Sequence, residues 1–230
     1  MQKMTFMSRL RLIVFALLVF LLAAASRSGA ALVAIDAGHG GSDEGIVYTT
    51  AGARPVKEKD IALSLAKAAQ AALRQRGIPA FLVREVDRNM GISERASAAN
   101  EKSPSLFLSI HVSSRGDFNI YVTWMPAQEP DVRKLYLYSR RQRPYIAQSR
   151  EFAASLEQAV KEAFPGKGVS YIEMPLSLLN EISAPAVMIE VPYPDSVDYG
   201  NQLNRQRFAA AIANAVTLYQ NIKPAGANAR

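Results

Sequence analysis

The chain has 230 residues, of which 49% are hydrophobic and 20% are charged, and it carries a formal net charge of +7 and no cysteine. These proportions are ordinary for a globular protein, and the sequence shows neither a low-complexity tract nor a repeat of solenoid period. Without cysteine, an exported domain has no disulfides and depends on its hydrophobic core. Any metal site must then use histidine and carboxylate ligands.

Residues 1–30 have the pattern of a secretory signal peptide. Three basic residues, Lys3, Arg9 and Arg11, precede the uncharged apolar segment Leu12–Ala25, and small residues follow it. The apolar segment is shorter than the roughly 20 residues that span a bilayer, and an uncleaved N-terminal anchor is the alternative interpretation. With either interpretation, we expect the rest of the chain to be exported to the periplasm, or to the cell wall or extracellular space.

Much of the positive charge belongs to this leader. Four basic residues and no acid lie within residues 1–30, which leaves the later residues with a net charge of +3. A mildly basic domain suits anionic wall polymers or lipid headgroups, but this charge does not indicate nucleic-acid binding. We expect no stable membrane insertion if the leader is cleaved.

Strands and helices alternate along the remaining chain. The predicted elements are a strand at Leu32–Ile35, a helix from Glu58 to Gly77, a strand at Ala80–Arg84, a short helix at Ser93–Asn100, strands at Ser105–Ile110 and Phe118–Met125, a helix at Ile146–Phe164, a strand at Val169–Glu173, a helical turn at Leu176–Asn180, a strand at Pro185–Val191 and a helix at Leu203–Ile222. This alternation predicts an α/β fold: a single domain over 31–222, with a mostly parallel twisted sheet of about six strands and helices on both faces. Residues 223–230 are expected to form a flexible tail.

Both histidines of the chain follow apolar strands. His39 lies in the turn Asp36-Ala37-Gly38-His39-Gly40-Gly41, and His111 follows the apolar segment that begins at Leu106. Glycines on both sides of His39 permit a tight turn and leave its imidazole uncrowded. Because sites in parallel sheets gather outside the carboxyl ends of the strands, we expect His39, His111 and Glu190 to meet at one edge.

Two histidines and a glutamate are a recurrent ligand set for catalytic zinc. Glu58, which begins the helix after the His39 loop, is the best candidate for the third ligand. Zinc lowers the pKa of water that it binds to about 7 and polarises carbonyl groups. Glu190 lies in an otherwise apolar strand, where a carboxylate is costly to bury, so it is the candidate acid and base of an amide hydrolase.

Each of these residues also has an ordinary structural interpretation. A histidine at a strand end is often a hydrogen-bonded loop residue, and an acid at a helix start usually interacts with the helix dipole. Glu190 would be explained equally by an ion pair with Arg84 or Arg95. Only the joint occurrence of the four groups favours a catalytic site.

Five segments of the sequence occur in a specific order. They are Asp36-Ala37-Gly38-His39-Gly40-Gly41-Ser42-Asp43, then Glu58-Lys59-Asp60, then Arg84 and Asp87 with Arg95 and Ala99-Asn100, then Ser109-Ile110-His111, and finally Pro185-Ala186-Val187-Met188-Ile189-Glu190. In this order they resemble the zinc-dependent N-acetylmuramoyl-L-alanine amidases, type 3, which are secreted bacterial cell-wall enzymes. The resemblance extends over roughly residues 31–222.

The resemblance implies one Zn²⁺ ion bound by His39, Glu58 and His111, with Glu190 as the catalytic acid and base. It implies hydrolysis of the amide bond between N-acetylmuramic acid and L-alanine of the peptidoglycan stem peptide, in cell-wall remodelling or daughter-cell separation. Peptidoglycan would be the partner, and an activator protein is a further candidate. Residues that would contact the substrate or support the ligands are Asp36, Arg84, Arg95 and Asn100.

Some positions depart from the family pattern. Ala37 replaces a proline, and Val191–Asp195 replaces the usual Gly-Phe and Ser-Asn after the catalytic glutamate, so the effect on specificity is open. Some members carry an inhibitory insertion that an activator releases, but the segment 126–144 offers no obvious room for a blocking helix. Two alternatives therefore stay open: a peptidoglycan-binding module with weak or no catalysis, and a zinc hydrolase with another amide substrate.

Overall fold

The computed structural model describes residues 32–49, 54–125, 141–193 and 197–222. The strands are β1 Val33–Ala37, β2 Val47–Tyr48, β3 Val56–Lys57, β4 Ala80–Leu82, β5 Leu106–Ser113, β6 Phe118–Thr123, β7 Val169–Met174 and β8 Ala186–Pro192. The helices are α1 Glu58–Gln75, α2 Ile92–Asn100, α3 Ile146–Ala163, α4 Ser177–Asn180 and α5 Gln202–Ile222, with a 3₁₀ turn at Arg143–Tyr145 before α3.

Six of the strands form one mixed sheet in the order β4-β1-β5-β8-β6-β7. The first four run parallel to one another, β6 is antiparallel to β8, and β7 is parallel to β6. Only residues 114–117 separate β5 from β6, and a parallel connection needs a dozen or more residues, so the chain must reverse direction there. The predicted α/β class, with about six mostly parallel strands, is confirmed.

Helices cover both faces of this sheet. On one face, α1, α3 and α5 pack over alternate strand residues such as Val33 and Ile35, whereas α2 and α4 pack over Ala34 and Phe107 on the other. Four apolar residues at a spacing of four along α1 are buried, namely Ile61, Leu65, Ala69 and Leu73. A buried leucine of this kind contributes about 1.5–3 kcal/mol through burial, which fixes the helix against the sheet.

Two strands extend further than the apolar pattern predicts. β5 continues to Ser113, three residues past the predicted end, so His111 lies within it, and β8, which was predicted to contain Glu190, continues one residue further to Pro192. The extension arises because the two strands go on pairing with each other past the apolar residues. Both polar side chains therefore project from the last residues of paired strands, and the sheet holds their backbones in place.

The predicted leader at 1–30 and tail at 223–230 lie outside the described residues, as does the segment 126–140. None of the described helices combines the length and the hydrophobicity of a membrane-spanning segment. Between β1 and α1, the short strands β2 and β3 form a separate antiparallel ribbon that leads the chain into Glu58.

Candidate active site

The loop after β1 brings His39 against β5. The Gly38 N–H donates to the Ile110 carbonyl over 2.9 Å, which keeps the loop beside β5 after β1 has ended. A Cβ on Gly38 would lie 2.4 Å from the His111 ring, so the close approach requires glycine at this position. His39 itself has a φ of 58°, in the left-handed region that few non-glycine residues adopt.

Two buried arginines hold this loop. The Arg84 guanidinium donates to the carbonyls of Ala37 and Gly38, each over 2.8 Å. Arg95 donates to the His39 carbonyl and, over 2.7 Å, to the Asp36 carboxylate. A left-handed residue persists only where its surroundings hold it there, and these contacts supply that support. Both arginines and Asp36 are therefore buried behind the His39 loop, where they support its backbone.

Asp36 is fully buried and its charge is compensated. Besides Arg95, its carboxylate accepts a hydrogen bond of 2.8 Å from the Ser109 hydroxyl, its register partner on β5. A buried carboxylate is tolerated only with such partners. The aspartate thus ties β1, β5 and the arginine of α2 into one buried polar cluster beneath His39.

Glu58 lies between the two histidines. Its Oε1 is 3.1 Å from Nε2 of His39 and 3.1 Å from Nδ1 of His111, and it also accepts from the Val112 N–H. Its Oε2 accepts from the Ile46 N–H over 2.9 Å. Burial acts to raise the pKa of Glu58, but the bonds from His111, His39 and the two backbone amides outweigh it and lower that pKa well below its usual range. The side chain is therefore an anion at neutral pH.

His39 makes a second contact on its other ring nitrogen. Nδ1 lies 2.9 Å from Oδ1 of Asp43, so a carboxylate faces each nitrogen of this ring. The hydrogen bond to Glu58 raises the pKa of His39; burial opposes this rise, and Asp43 adds to it. A carboxylate on the outer nitrogen is a common support for a metal-binding histidine, because it fixes the ring orientation and the tautomer.

The donor set fits a zinc ion. One ligand atom each from His39, Glu58 and His111 lies within 4.8 Å of the other two. The two imidazole rings are nearly perpendicular, at 79°, with their centroids 4.9 Å apart. Two imidazole nitrogens and a carboxylate oxygen, converging from three separate elements, are the ligand chemistry that zinc takes in the absence of cysteine.

Glu190 lies beside this group. It is the register partner of His111 in the β5–β8 pair, so the two side chains emerge from the same face of the sheet on adjacent strands. The half-buried carboxylate accepts hydrogen bonds from Tyr121 and Asn119 of β6. The alternative interpretation, in which Glu190 pairs with Arg84 or Arg95, is wrong. Both guanidinium groups donate instead to backbone carbonyls of the His39 loop.

Asn100 contacts a different part of the fold. Its amide donates to the Glu181 carbonyl and accepts from the Ser183 N–H, each over 2.8 Å. Those residues lie just before β8 begins, at the amino end of the strand, whereas Glu190 lies near its carboxyl end. Asn100 thus anchors the entry to β8, and it does not join the hydrogen bonds around the histidines.

Sequence reasoning missed three residues at the site. Asp43 belongs to the first of the five segments without a predicted role, and Asn119 and Tyr121 belong to none of the segments. A signal for the last two exists, because β6 alternates apolar and polar residues along Phe118–Thr123. The polar positions share a face with Glu190, but this becomes visible only once the pairing of β6 with β8 is known.

Comparisons with known proteins identify the family to which the chain belongs. The model of a family described as N-acetylmuramoyl-L-alanine amidase matches residues 33–219. The chain is 29% identical over 181 residues to the sporulation-specific N-acetylmuramoyl-L-alanine amidase of Bacillus subtilis, covering 78% of this chain. It spans 62% of the length of that relative.

Two solved structures have the same fold. The N-acetylmuramoyl-L-alanine amidase of Clostridium difficile 630 superposes with a TM-score of 0.66 at 22% identity, over 86% of this chain and 100% of that one. The CwlD amidase of Clostridioides difficile was solved in complex with the GerS lipoprotein. It superposes with a TM-score of 0.62 at 18% identity, over 84% of this chain and 100% of that one. With its fold, its donor set and the family match over 33–219, the chain belongs to the N-acetylmuramoyl-L-alanine amidase family.

Proposed function

We propose that this protein is a zinc-dependent amidase that hydrolyses the bond between N-acetylmuramic acid and L-alanine of the peptidoglycan stem peptide. The observation that carries the proposal is the convergence of His39, Glu58 and His111, whose ligand atoms lie within 4.8 Å of one another. These residues come from a loop, a helix start and a strand that are far apart in sequence. A purely structural role would not require two imidazoles and a buried anion to meet in this way.

In this proposal His39, Glu58 and His111 hold the ion, and Glu190 moves the proton. Zinc supplies a Lewis acid that polarises the substrate carbonyl and activates water. Glu190 takes a proton from the attacking water while the water oxygen bonds to the carbonyl carbon. It then gives that proton to the amide nitrogen as the carbon–nitrogen bond breaks. The products are the lactyl carboxylate of the muramic acid and the ammonium group of L-alanine, so both protons of the water end on the leaving nitrogen.

We further propose that the protein works outside the cytoplasm, on the cell wall. The pattern of residues 1–30 supports export, and the net charge of +3 on the rest of the chain suits an anionic wall polymer. The CwlD amidase is in complex with the GerS lipoprotein in its solved structure, and by analogy we propose that this chain works with a protein partner, with an activator as the candidate.

Turnover of purified muropeptides tests the proposed reaction. Release of stem peptides should stop with a chelator and return with added Zn²⁺, and Glu190→Gln should retain zinc but lose on the order of 10²-fold or more in kcat. Equal release with and without chelator would reject the zinc enzyme. Sedimentation with sacculi in the absence of any product would indicate a binding module, and cleavage only of other amides would indicate a different substrate.

A further inference from the structure

The Glu190 carboxylate is held by β6, a strand outside all five sequence motifs. The Tyr121 hydroxyl donates to Oε2 of Glu190 over 2.8 Å, and Nδ2 of Asn119 lies 3.4 Å from the same oxygen. These are the hydrogen bonds that the described residues give to the Glu190 side chain, and both end on Oε2. The other carboxylate oxygen, Oε1, is left for other partners.

This arrangement follows from the strand register. Asn119 is directly opposite Glu190 in the antiparallel β6–β8 pair, and Tyr121 is opposite Met188. Tyr121 is therefore a diagonal neighbour of Glu190, at a Cα separation of about 7–8 Å that a long aromatic side chain can bridge. A shorter residue at position 121 would not reach the carboxylate, so the contact depends on the tyrosine.

We propose that Tyr121, assisted by Asn119, is a positioning residue that fixes the Glu190 carboxylate so that Oε1 exchanges the proton during amide hydrolysis. The inference rests on the proposed function, in which Glu190 is the acid and base. An ionised carboxylate only accepts hydrogen bonds, so the phenol O–H makes a charge-assisted bond with Oε2 and restricts rotation of the group. The proton of the attacking water then passes to Oε1 and from there to the leaving nitrogen.

The state of the phenol is consistent with this role. Burial, together with the bond to Glu190, raises the pKa of Tyr121 to about 12, so the hydroxyl remains a donor at neutral pH. The donor and its acceptor also lie on separate strands of one sheet, which limits their relative movement. Tyr121 thus acts on the orientation of Glu190 and does not itself exchange protons with the substrate.

The neighbouring strand offers a matched control. The Tyr171 hydroxyl donates to Oε1 of Glu173 over 2.6 Å, which is the same chemical pair on β7. Tyr171 is opposite Ile120 in the register, so it projects from the other face of the sheet from Tyr121, and it is 42% exposed. Tyr171→Phe therefore removes a hydrogen bond between the same two chemical groups, at a position outside the candidate active site.

The test compares variants of the full chain, each loaded with zinc, on a purified muropeptide. Tyr121→Phe should lower kcat about tenfold, the effect expected for a hydrogen bond to a charged group, with KM, zinc content and melting temperature unchanged. Asn119→Ala should lower kcat by about threefold, because its contact is longer. Tyr171→Phe should turn over like the parent protein. An unchanged kcat in Tyr121→Phe, or a change confined to KM, would overturn the inference.

A double-mutant cycle separates positioning from a general structural effect. In a Glu190→Ala background, the further change Tyr121→Phe should cost no additional activity, because the group that it positions is gone. An equal tenfold loss in both backgrounds would show that Tyr121 acts independently of Glu190 and would reject the proposal. Full activity of Glu190→Ala alone would instead reject the role of Glu190 in the proposed function, so the two failures are distinguishable.

Discussion

At the scale of single residues, the histidines depend on neighbours that provide no ligand atom. Gly38 permits the loop to approach the His111 ring, and Asp43 contacts the outer nitrogen of His39. The sequence indicates a tight turn at Gly38, but it shows neither the approach of Gly38 to the His111 ring nor the role of Asp43. The role of Gly38 follows from the contact of the loop with β5, and that of Asp43 from a contact within the loop itself; both contacts exist only in the folded chain.

Gly38→Ala should disrupt the site strongly, although it adds only one methyl group. The added Cβ would lie 2.4 Å from a ring that Glu58 also contacts, so either the loop or His111 must move. A displacement near 1 Å at a catalytic centre costs on the order of 10²-fold in turnover, and we expect zinc content to fall as well. Gly91→Ala, where a Cβ has open space, is the control. Elemental analysis and muropeptide turnover give the readouts, and full zinc content in Gly38→Ala would contradict the packing argument.

Asp43→Ala should weaken the binding of zinc without unfolding the protein. Loss of a carboxylate that orients a ligand histidine typically reduces metal affinity about 10–100-fold. Asp117→Ala is a suitable comparison, because that aspartate accepts from the Gly168 N–H in a separate turn. Competition with a chromophoric chelator measures the affinity of both variants. Equal affinities would show that the His39–Asp43 contact does not support the ligand.

At the scale of elements, helix α2 is attached to β1 through a buried ion pair. Arg95 of α2 and Asp36 of β1 are 2.7 Å apart, and their side chains are 7% and 0% exposed. The same helix also carries an exposed pair, in which Glu94 lies 2.8 Å from Arg88. The two pairs have similar lengths but different surroundings, so their contributions to stability should differ.

Arg95→Ala should destabilise the fold far more than Arg88→Ala. Removing Arg95 leaves the Asp36 charge buried without its partner, which typically costs about 3–5 kcal/mol. The exposed Arg88–Glu94 pair is screened by water, and its loss should cost less than about 1 kcal/mol. Chemical denaturation of the two variants measures the free energies of unfolding. Similar values for both would mean that solvent reaches Asp36.

The order of elements was predictable from the sequence, whereas the order of strands in the sheet was not. Apolar periodicity located the helices, as Ile61 to Leu73 of α1 illustrates, because burial of one helix face is a local pattern. The insertion of β8 between β5 and β6 depends on pairing between residues far apart in sequence. For that reason the contact between Tyr121 and Glu190 had no local signature, although Glu190 itself stood out in an apolar strand.

At the scale of the whole molecule, the three candidate ligands couple distant parts of the chain. His39 follows β1, Glu58 begins α1 and His111 lies near the end of β5, so an ion shared by them would crosslink the centre of the sheet to a helix that covers it. The sequence predicted these three residues from their joint occurrence with Glu190, since each of them alone has an ordinary structural interpretation. It did not predict Ile46 and Val112, whose backbone N–H groups bind Glu58, since backbone donors leave no trace in residue identity.

Zinc should therefore stabilise the entire fold. A ligand that binds only the folded state adds about 4 kcal/mol when present at roughly a thousand times its Kd. For a domain of this size, that gain corresponds to a rise in Tm on the order of 10 °C. Calorimetry with chelator and with added Zn²⁺ measures the shift, and Mg²⁺ should give none because it prefers oxygen ligands.

His111→Ala supplies the decisive comparison for this crosslink. The variant keeps Glu58 and His39 but loses one of the three ligand atoms, so the zinc-dependent rise in Tm should shrink to a small fraction of the parent value. Without zinc, its own Tm should change much less, because the His111 side chain is partly exposed and its removal leaves no large cavity. A parent protein whose Tm is the same with chelator and with zinc would contradict the coupling. An undiminished rise in His111→Ala would mean that the ion binds elsewhere.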